Sequence, residues 1–160
     1  MISSRLKGIA TLCLIAMAIL TWVVIMIVSI FSEAALGSRT IWEDAALKSP
    51  HKYRPHINLS TQYFRSGEYA RALSEAQRAI EIDPKKASAY INATTCAVKL
   101  GAWKLAYKYS HEVLKRRPIR TTVQNHITIC RIIDKNDEAN RFEKNLSAYQ
   151  DIDKWTLDED

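Results

Sequence analysis

The chain has 160 residues, 48% hydrophobic and 25% charged, with 23 Lys and Arg against 17 Asp and Glu, a formal net charge of +6. That length leaves room for one small domain and one apolar segment. The basic surplus is mild and no nucleic-acid-binding motif accompanies it, so composition argues for solubility and a preference for acidic surfaces, not for nucleic acid as a partner.

Residues 1–7 carry Arg5 and Lys7, and residues 8–31 contain no charged residue. At about 1.5 Å per residue the uncharged run would cover roughly 35 Å, enough for a bilayer core of about 30 Å, so a single transmembrane helix is expected over 8–31. The rival is a secretory signal peptide, since Ser32-Glu33-Ala34 resembles a cleavage site. The run exceeds the usual apolar region of about 7–15 residues, which favours a retained anchor. Leu12 directly before Cys13 is unlike a bacterial lipidation site. Arg5, Lys7 and the amino terminus outweigh Arg39 beyond the run, which predicts a cytoplasmic N-terminus and an extracytoplasmic remainder, in a bacterial periplasm by preference. Membrane lipid is then one expected partner. Gly8, Ala10, Ala16 and Ala18 are small enough to admit another helix of a larger membrane complex.

Beyond the apolar run, Pro50, Pro84 and Pro118 stand 34 residues apart, and the residues between them repeat in phase. With proline at position 32 of each unit, full units run over 53–86 and 87–120. Leu59 and Ala93 fall at position 7, Ser60 and Thr94 at 8, Gly67 and Gly101 at 15, Tyr69 and Trp103 at 17, Ala72 and Ala106 at 20, and Ala79 and Val113 at 27. Two helices approach closely only where one side chain is small, so Ser60, Thr94, Ala72 and Ala106 mark contacts, filled by Leu59, Tyr63, Tyr69 and Trp103. Glycine ends the first helix of each pair and proline stops the second. Upstream, residues 32–52 read as a juxtamembrane half-repeat whose helix, 39–48, covers the open end. Downstream, 121–150 reads as a degenerate third unit with capping helices, placing Ile127 and Thr128 at positions 7 and 8. Ala139, Phe142, Leu146, Tyr149 and Ile152 recur at helical spacing. Residues 151–160 form an acidic tail with Trp155 and Leu157, solvated or lying on the basic rim.

The residues Asn58-Leu59-Ser60, Gly67-Glu68-Tyr69-Ala70 and Ala79-Ile80-Glu81-Ile82-Asp83-Pro84 resemble the tetratricopeptide repeat (TPR) over roughly residues 40–150. The fold class implied is all-α: an N-terminal transmembrane helix, then a short TPR α-solenoid of antiparallel helix pairs. Position 24, usually aromatic in the family, is Ala76 and then Ser110, which predicts thinner packing there. The resemblance also implies a concave partner-binding groove lined by Arg54, Ile57, Asn58, Thr61, Phe64 and Arg65 and by Ile91, Asn92, Thr95, Val98 and Lys99. Asn58 and Asn92 share position 6 and resemble an asparagine ladder that holds an extended peptide. Ile57 and Ile91 stand where members that clamp a C-terminal carboxylate carry lysine, which disfavours that mode. The stretch Ile41-Trp42-Glu43-Asp44, Lys48-Ser49-Pro50, Arg54-Pro55-His56 and Asn58-Leu59 loosely resembles the join between the last span and the repeats in multi-span glycosyltransferases.

The sequence shows no enzyme constellation and implies no cofactor. His51, His56, His111 and His126 do not pair at metal-ligand spacing, so no metal site is expected, and no phosphate loop or nucleophile elbow is present. His56, at position 4, reads as helix-interface packing. Cys96 and Cys130 share position 10 and read as small buried hydrophobes, too far apart for a disulfide. Asn58, Asn92 and Asn145 match the glycosylation acceptor pattern but fall in predicted helices. Lys104, Lys108, His111, Lys115, Arg116, Arg117 and Arg120 read as a solvated basic face. The function expected is a membrane-anchored TPR adaptor or scaffold binding a protein or peptide segment of an envelope protein. Alternatives are a non-catalytic subunit of a membrane enzyme such as a glycosyltransferase, or an organellar receptor with cytosolic repeats.

Overall fold

The computed structural model describes residues 2–149, with side chains for 14–29, 37 and 39–149. The tail at 151–160 and Ile152 lie outside the described residues, as do the side chains of Arg5, Lys7 and Cys13. Residues 1–40 and 41–160 form two compact units.

The first helix, α1 (Ile2–Lys48), meets no proline until Pro50, so no ring interrupts its hydrogen bonds. Thr21 and Thr40 return their hydroxyls to the carbonyls of Ala18 and Gly37, which lets a β-branched polar residue sit inside a helix. Its described apolar side chains between 14 and 28, including Leu14, Met17, Trp22 and Ile25, are exposed. Among the described residues no helix is long and apolar enough to cross a membrane. This overturns the single-pass placement and its extracytoplasmic topology, and leaves the lipid partner without support.

The second unit is a stack of helix pairs. Helices α2 (Tyr53–Arg65) and α3 (Tyr69–Ile82), α4 (Ala87–Lys99) and α5 (Trp103–Arg116), then α6 (Arg120–Ile132) and α7 (Asn136–Lys144) pack pairwise, and α3 also packs on α4 and α5 on α6. A 3-10 turn (Leu146–Ala148) follows. Alanine sets the spacing: Ala72, Ala76, Ala79, Ala89, Ala93, Ala97, Ala106 and Ala139 are all fully buried. With no side chain beyond Cβ, each lets a neighbouring helix approach. Ser60 is buried at the α2–α3 contact and donates its hydroxyl to the Ala72 carbonyl at 2.8 Å, so a close backbone approach leaves no orphaned polar group. Adjacent units are also joined by the hydroxyls of Tyr53 and Ser88, 2.6 Å apart.

Packing at position 24 is not thin. Ala76 belongs to an apolar cluster with Tyr90, Ala93, Tyr109 and Val113. The rings of Tyr90 and Tyr109, 6.4 Å apart and tilted at 60°, supply the bulk that Ala76 lacks. Ser110 is likewise buried, against the ring of His126.

The three first helices end alike. Gly67 and Gly101 adopt φ of +78° and +68°, and the following residues Glu68 and Ala102 donate to Tyr63 and Ala97 carbonyls at 2.9 Å. In the third pair the left-handed residue is Asp134, with φ +61°, and Lys135 donates to the Cys130 carbonyl at 2.8 Å. The left-handed residue thus advances by 34 from the first pair to the second and by 33 to the third. Burial follows the same shift: Tyr90, Ala93, Ala97 in α4 correspond to Val123, His126, Cys130 in α6. Position 7 of the third pair is therefore held by His126, and position 8 by Ile127. Thr128 is exposed.

At the ends of the stack, the segment 39–48 is the last part of α1 and not a separate helix. There Glu43 accepts a hydrogen bond from the Tyr63 hydroxyl at 3.0 Å. The expected closing helix is shorter than its periodicity suggested: α7 stops at Lys144, Asn145 follows as its C-cap, and Leu146 and Tyr149 pack from the turn beyond against Val123, Ile127, Cys130 and Ala139.

A methyl group on Gly101 would meet nothing within 4 Å, so Gly101→Ala tests backbone strain alone. It should lower unfolding stability by about 1 kcal/mol in urea denaturation. Asp134→Gly, at the equivalent position, should be neutral or stabilising by up to about 1 kcal/mol; a clear loss would contradict the shifted third pair.

Candidate binding face and polar cluster

The eleven residues predicted to line a groove lie on α2 and α4, none of them fully buried. Arg54, Arg65, Thr95 and Lys99 are exposed, and Ile57, Asn58, Thr61, Phe64, Ile91, Asn92 and Val98 are half-buried. Thr61 and Thr95 spend their hydroxyl hydrogens on the Ile57 and Ile91 carbonyls one turn back. Phe64 packs against Tyr69, ring centroids 5.3 Å apart, while Ile91 and Val98 lean into the apolar clusters beneath. Asn92 donates from Nδ2 to Thr61 Oγ1 at 3.2 Å, linking adjacent pairs. Its carbonyl oxygen and second N–H remain for another partner. The Asn58 side chain, one unit earlier, makes no hydrogen bond to a described group.

Two clefts lie away from these eleven residues. One of about 610 Å³ is bounded by Gly101, Trp103, Leu105, Ile133 and Asp134. The other, of about 500 Å³, runs between α3 and α5 and is bounded by Gln77, Ile80, Glu81, Tyr90, Lys108, Tyr109 and Glu112.

The basic face is only partly solvated. Arg116 is clamped: Nε donates to the Pro84 carbonyl at 2.8 Å, one terminal nitrogen to Glu112 Oε2 at 2.7 Å, and the other to the Tyr90 hydroxyl at 3.2 Å. Its guanidinium also lies 4.1 Å above the Tyr90 ring. Glu112 accepts from Lys115 as well, at 2.6 Å. The bonds from Lys115 and Arg116 hold the Glu112 carboxyl well below its usual range, at about 2. Sequence reasoning saw Arg116 as one charge among several. Its contact with Pro84, 32 residues away, is visible only once α5 lies on the α3–α4 loop.

Histidine behaves differently from expectation at two places. His56 is buried as predicted, but its ring is pinned between polar groups: Nε2 lies 3.1 Å from the Pro50 carbonyl and Nδ1 2.7 Å from Glu75 Oε2. His126 is fully enclosed at the α5–α6–α7 junction. Its Nδ1 lies 2.8 Å from Ser110 Oγ, and its Nε2 lies 3.1 Å from Glu138 Oε1 and 3.4 Å from Cys130 Sγ. Tyr107 stacks on the ring at 5.5 Å and Phe142 meets it edge-on at 5.2 Å. Burial pushes the His126 pKa below its ordinary value, against the pull of Glu138. Burial would raise Glu138, yet hydrogen bonds from His126 and the Tyr107 hydroxyl outweigh it and hold the carboxyl below the usual range. Burial also raises both free thiols, Cys96 and Cys130, to about 11, which suits their reading as small buried hydrophobes.

His111, on the turn of α5 next to Ser110, completes the group. One donor atom each from His111, His126 and Glu138 fall within 4.8 Å of one another. Sequence spacing gave no sign of this, because the three come from three helices. The arrangement resembles a Ser–His–carboxylate relay, but Ser110 is only 3% exposed, so its hydroxyl has no room for a substrate.

No family model matches the chain and no curated protein matches it. Among solved structures, the crystal structure of MamA is 17% identical with a TM-score of 0.65 over 69% of this chain and 65% of its own. A second MamA structure, the RS-1 ArsTM double mutant, is 11% identical at 0.67 over 72% and 66%. YrrB, described as a TPR protein with an unusual peptide-binding site, is 19% identical at 0.61 over 68% of this chain and 56% of its own. The chain thus spans just under two thirds of MamA and little more than half of YrrB. The fold is that of the TPR proteins.

The sign of the Glu112 effect follows from its depressed pKa. Its ion pairs stabilise the fold fully above the ordinary carboxyl range near 4.5 and are lost as pH falls through about 2. Glu112→Gln should therefore be less stable than the parent by about 1 kcal/mol at pH 7, discounted for the exposed Lys115 side. In urea titrations the difference should shrink below pH ~4.5 and vanish near pH ~2.

Proposed function

We propose that the unit 41–160 is a protein-interaction module that receives an extended, acidic peptide segment across the first-helix face of α2 and α4. Asn58 and Asn92 carry this reading: two amides at equivalent positions of adjacent helices, both half-exposed, with one tied to the neighbouring pair through Thr61. An amide that both donates and accepts matches the alternating N–H and C=O of an extended backbone. Helices packed about 8–10 Å apart match about three residues of extended chain per repeat. The exposed cations Arg54, Arg65 and Lys99 lie on the same two helices as the amides, which favours acidic side chains on the segment. Ile57 and Val98 supply apolar contact between them. The fold shared with YrrB, described as having a peptide-binding site, is in keeping with this use. The reading assigns the chain recruitment and no catalysis.

The test is selection of binders from a random peptide library on the full chain, followed by affinity measurement with the double variant Asn58→Ala and Asn92→Ala. Loss of two backbone-directed amides should weaken the selected peptides by about tenfold or more, with unchanged melting temperature. Binding should also weaken with added salt, through the Arg54, Arg65 and Lys99 contribution. Unchanged affinity in the double variant would overturn the groove assignment.

A further inference from the structure

Away from that face, the junction of α5, α6 and α7 gathers ligand-type side chains from three helices. We propose that His111, His126 and Glu138 form a binding site for a divalent transition-metal ion, Zn²⁺ foremost, that ties the last helix pair to the stack. Two imidazoles and a carboxylate are a donor set that zinc accepts at about 2.0–2.2 Å, with a fourth position left for water. Ligand atoms then lie about 3.4 Å apart around the ion. His126 Nε2 and Glu138 Oε1 already stand at 3.1 Å, and all three donors lie within 4.8 Å. The remaining contraction falls on His111, whose exposed ring is stacked 6.2 Å from Tyr107 and is the ligand with room to turn.

The hydrogen bonds supply an independent argument. Ser110 Oγ lies 2.8 Å from His126 Nδ1 and donates to the Tyr107 carbonyl at 2.9 Å. A hydroxyl has one hydrogen and a carbonyl only accepts. Both contacts are therefore satisfied together when His126 donates from Nδ1 to Ser110 and Ser110 donates onward to Tyr107. In a neutral ring this leaves Nε2 as a bare lone pair facing the Glu138 carboxylate. In the metal-free chain the other tautomer, with Nε2–H donating to Glu138, accounts for the 3.1 Å contact; an ion would exchange it for this one, taking the Nε2 lone pair and Oε1 as ligands. A ligating histidine held through its other N–H is also the common arrangement at metal sites. The Tyr107 hydroxyl, donating to Glu138 Oε2 at 2.9 Å, orients the carboxylate in the same way. Lys135 approaches that same Oε2, at 3.9 Å, so Oε1 is the oxygen left for the ion.

The experiment is Zn²⁺ titration of the tag-free full chain, read by equilibrium dialysis and thermal melting, with Co²⁺ as a spectroscopic substitute. One Zn²⁺ per chain, a raised melting temperature and visible Co²⁺ bands of a four-coordinate site are expected. His111→Ala changes only an exposed side chain, so its metal-free melting temperature should match the parent. Its affinity should fall by more than about 100-fold, since even outer-shell partners contribute about 10–100-fold. Glu138→Gln should lose the Co²⁺ bands too. No uptake by the parent overturns the proposal. Uptake that survives His111→Ala overturns it as well, by placing the ion elsewhere, such as at the cysteines.

Discussion

The second unit depends on how closely its helices approach. Its fully buried positions are mostly alanines, and the largest fully buried side chains are only His126, Val123, Cys96, Cys130 and Ser60. A core made of such small groups gains little from any one residue. Its stability comes from many backbone and Cβ contacts held at short range. Helices of 13 or 14 residues, such as α2 to α5, are marginal alone in water. They persist because each is covered by the next, the logic of a stack in which every unit contacts only its neighbours. The bulk missing at Ala76 is supplied by Tyr90 and Tyr109 from the following pair. No pair in the middle of the stack is therefore complete by itself.

The same dependence explains the register of the third pair. Once α6 must fit against α5, burial is decided by the surface that α5 presents and not by the count from Pro118. Starting one residue early brings His126 to the level of Leu59 and Ala93. Ser110, small where the family is usually aromatic, leaves room for the imidazole. A substitution that looks like a loss of packing in one pair is the seat for a ring from the next. Asp134 then takes the left-handed position that glycine holds twice before, which a short polar side chain tolerates better than a branched one.

Much of this was legible in the residues. The prolines at 50, 84 and 118 and the glycines at 67 and 101 placed the first two pairs, because both residue types act through backbone sterics and need no knowledge of neighbours. Phase also assigned the eleven groove residues to α2 and α4, where they are exposed or half-buried, but phase cannot say whether a face binds anything. The third pair was misread for a specific reason: no proline closes it, and Ile127-Thr128 imitates Leu59-Ser60 one residue late. Hydropathy over 8–31 suggested a membrane span, whereas among the described residues no helix is long and apolar enough to cross a membrane. The Arg116 clamp and the His126 cluster were invisible, since their partners lie 12 to 32 residues away and meet only through packing.

The end of the stack is held differently from its middle. Helix α7 has nine residues and one buried side chain, Ala139, so apolar area alone ties it weakly. What fixes it is polar: Glu138 bonds both His126 and Tyr107, and Glu143 pairs with Arg131 at 2.6 Å. The exposed pair contributes little. The bonds of Glu138 are shielded by the Tyr107 and Phe142 rings and carry more. A terminal unit that depends on one carboxylate opens more easily than the alanine-packed interior. That makes α7 the part of the stack whose order is most sensitive to whatever charge His126 faces, while the face on α2 and α4 stays built on contacts that charge does not reach.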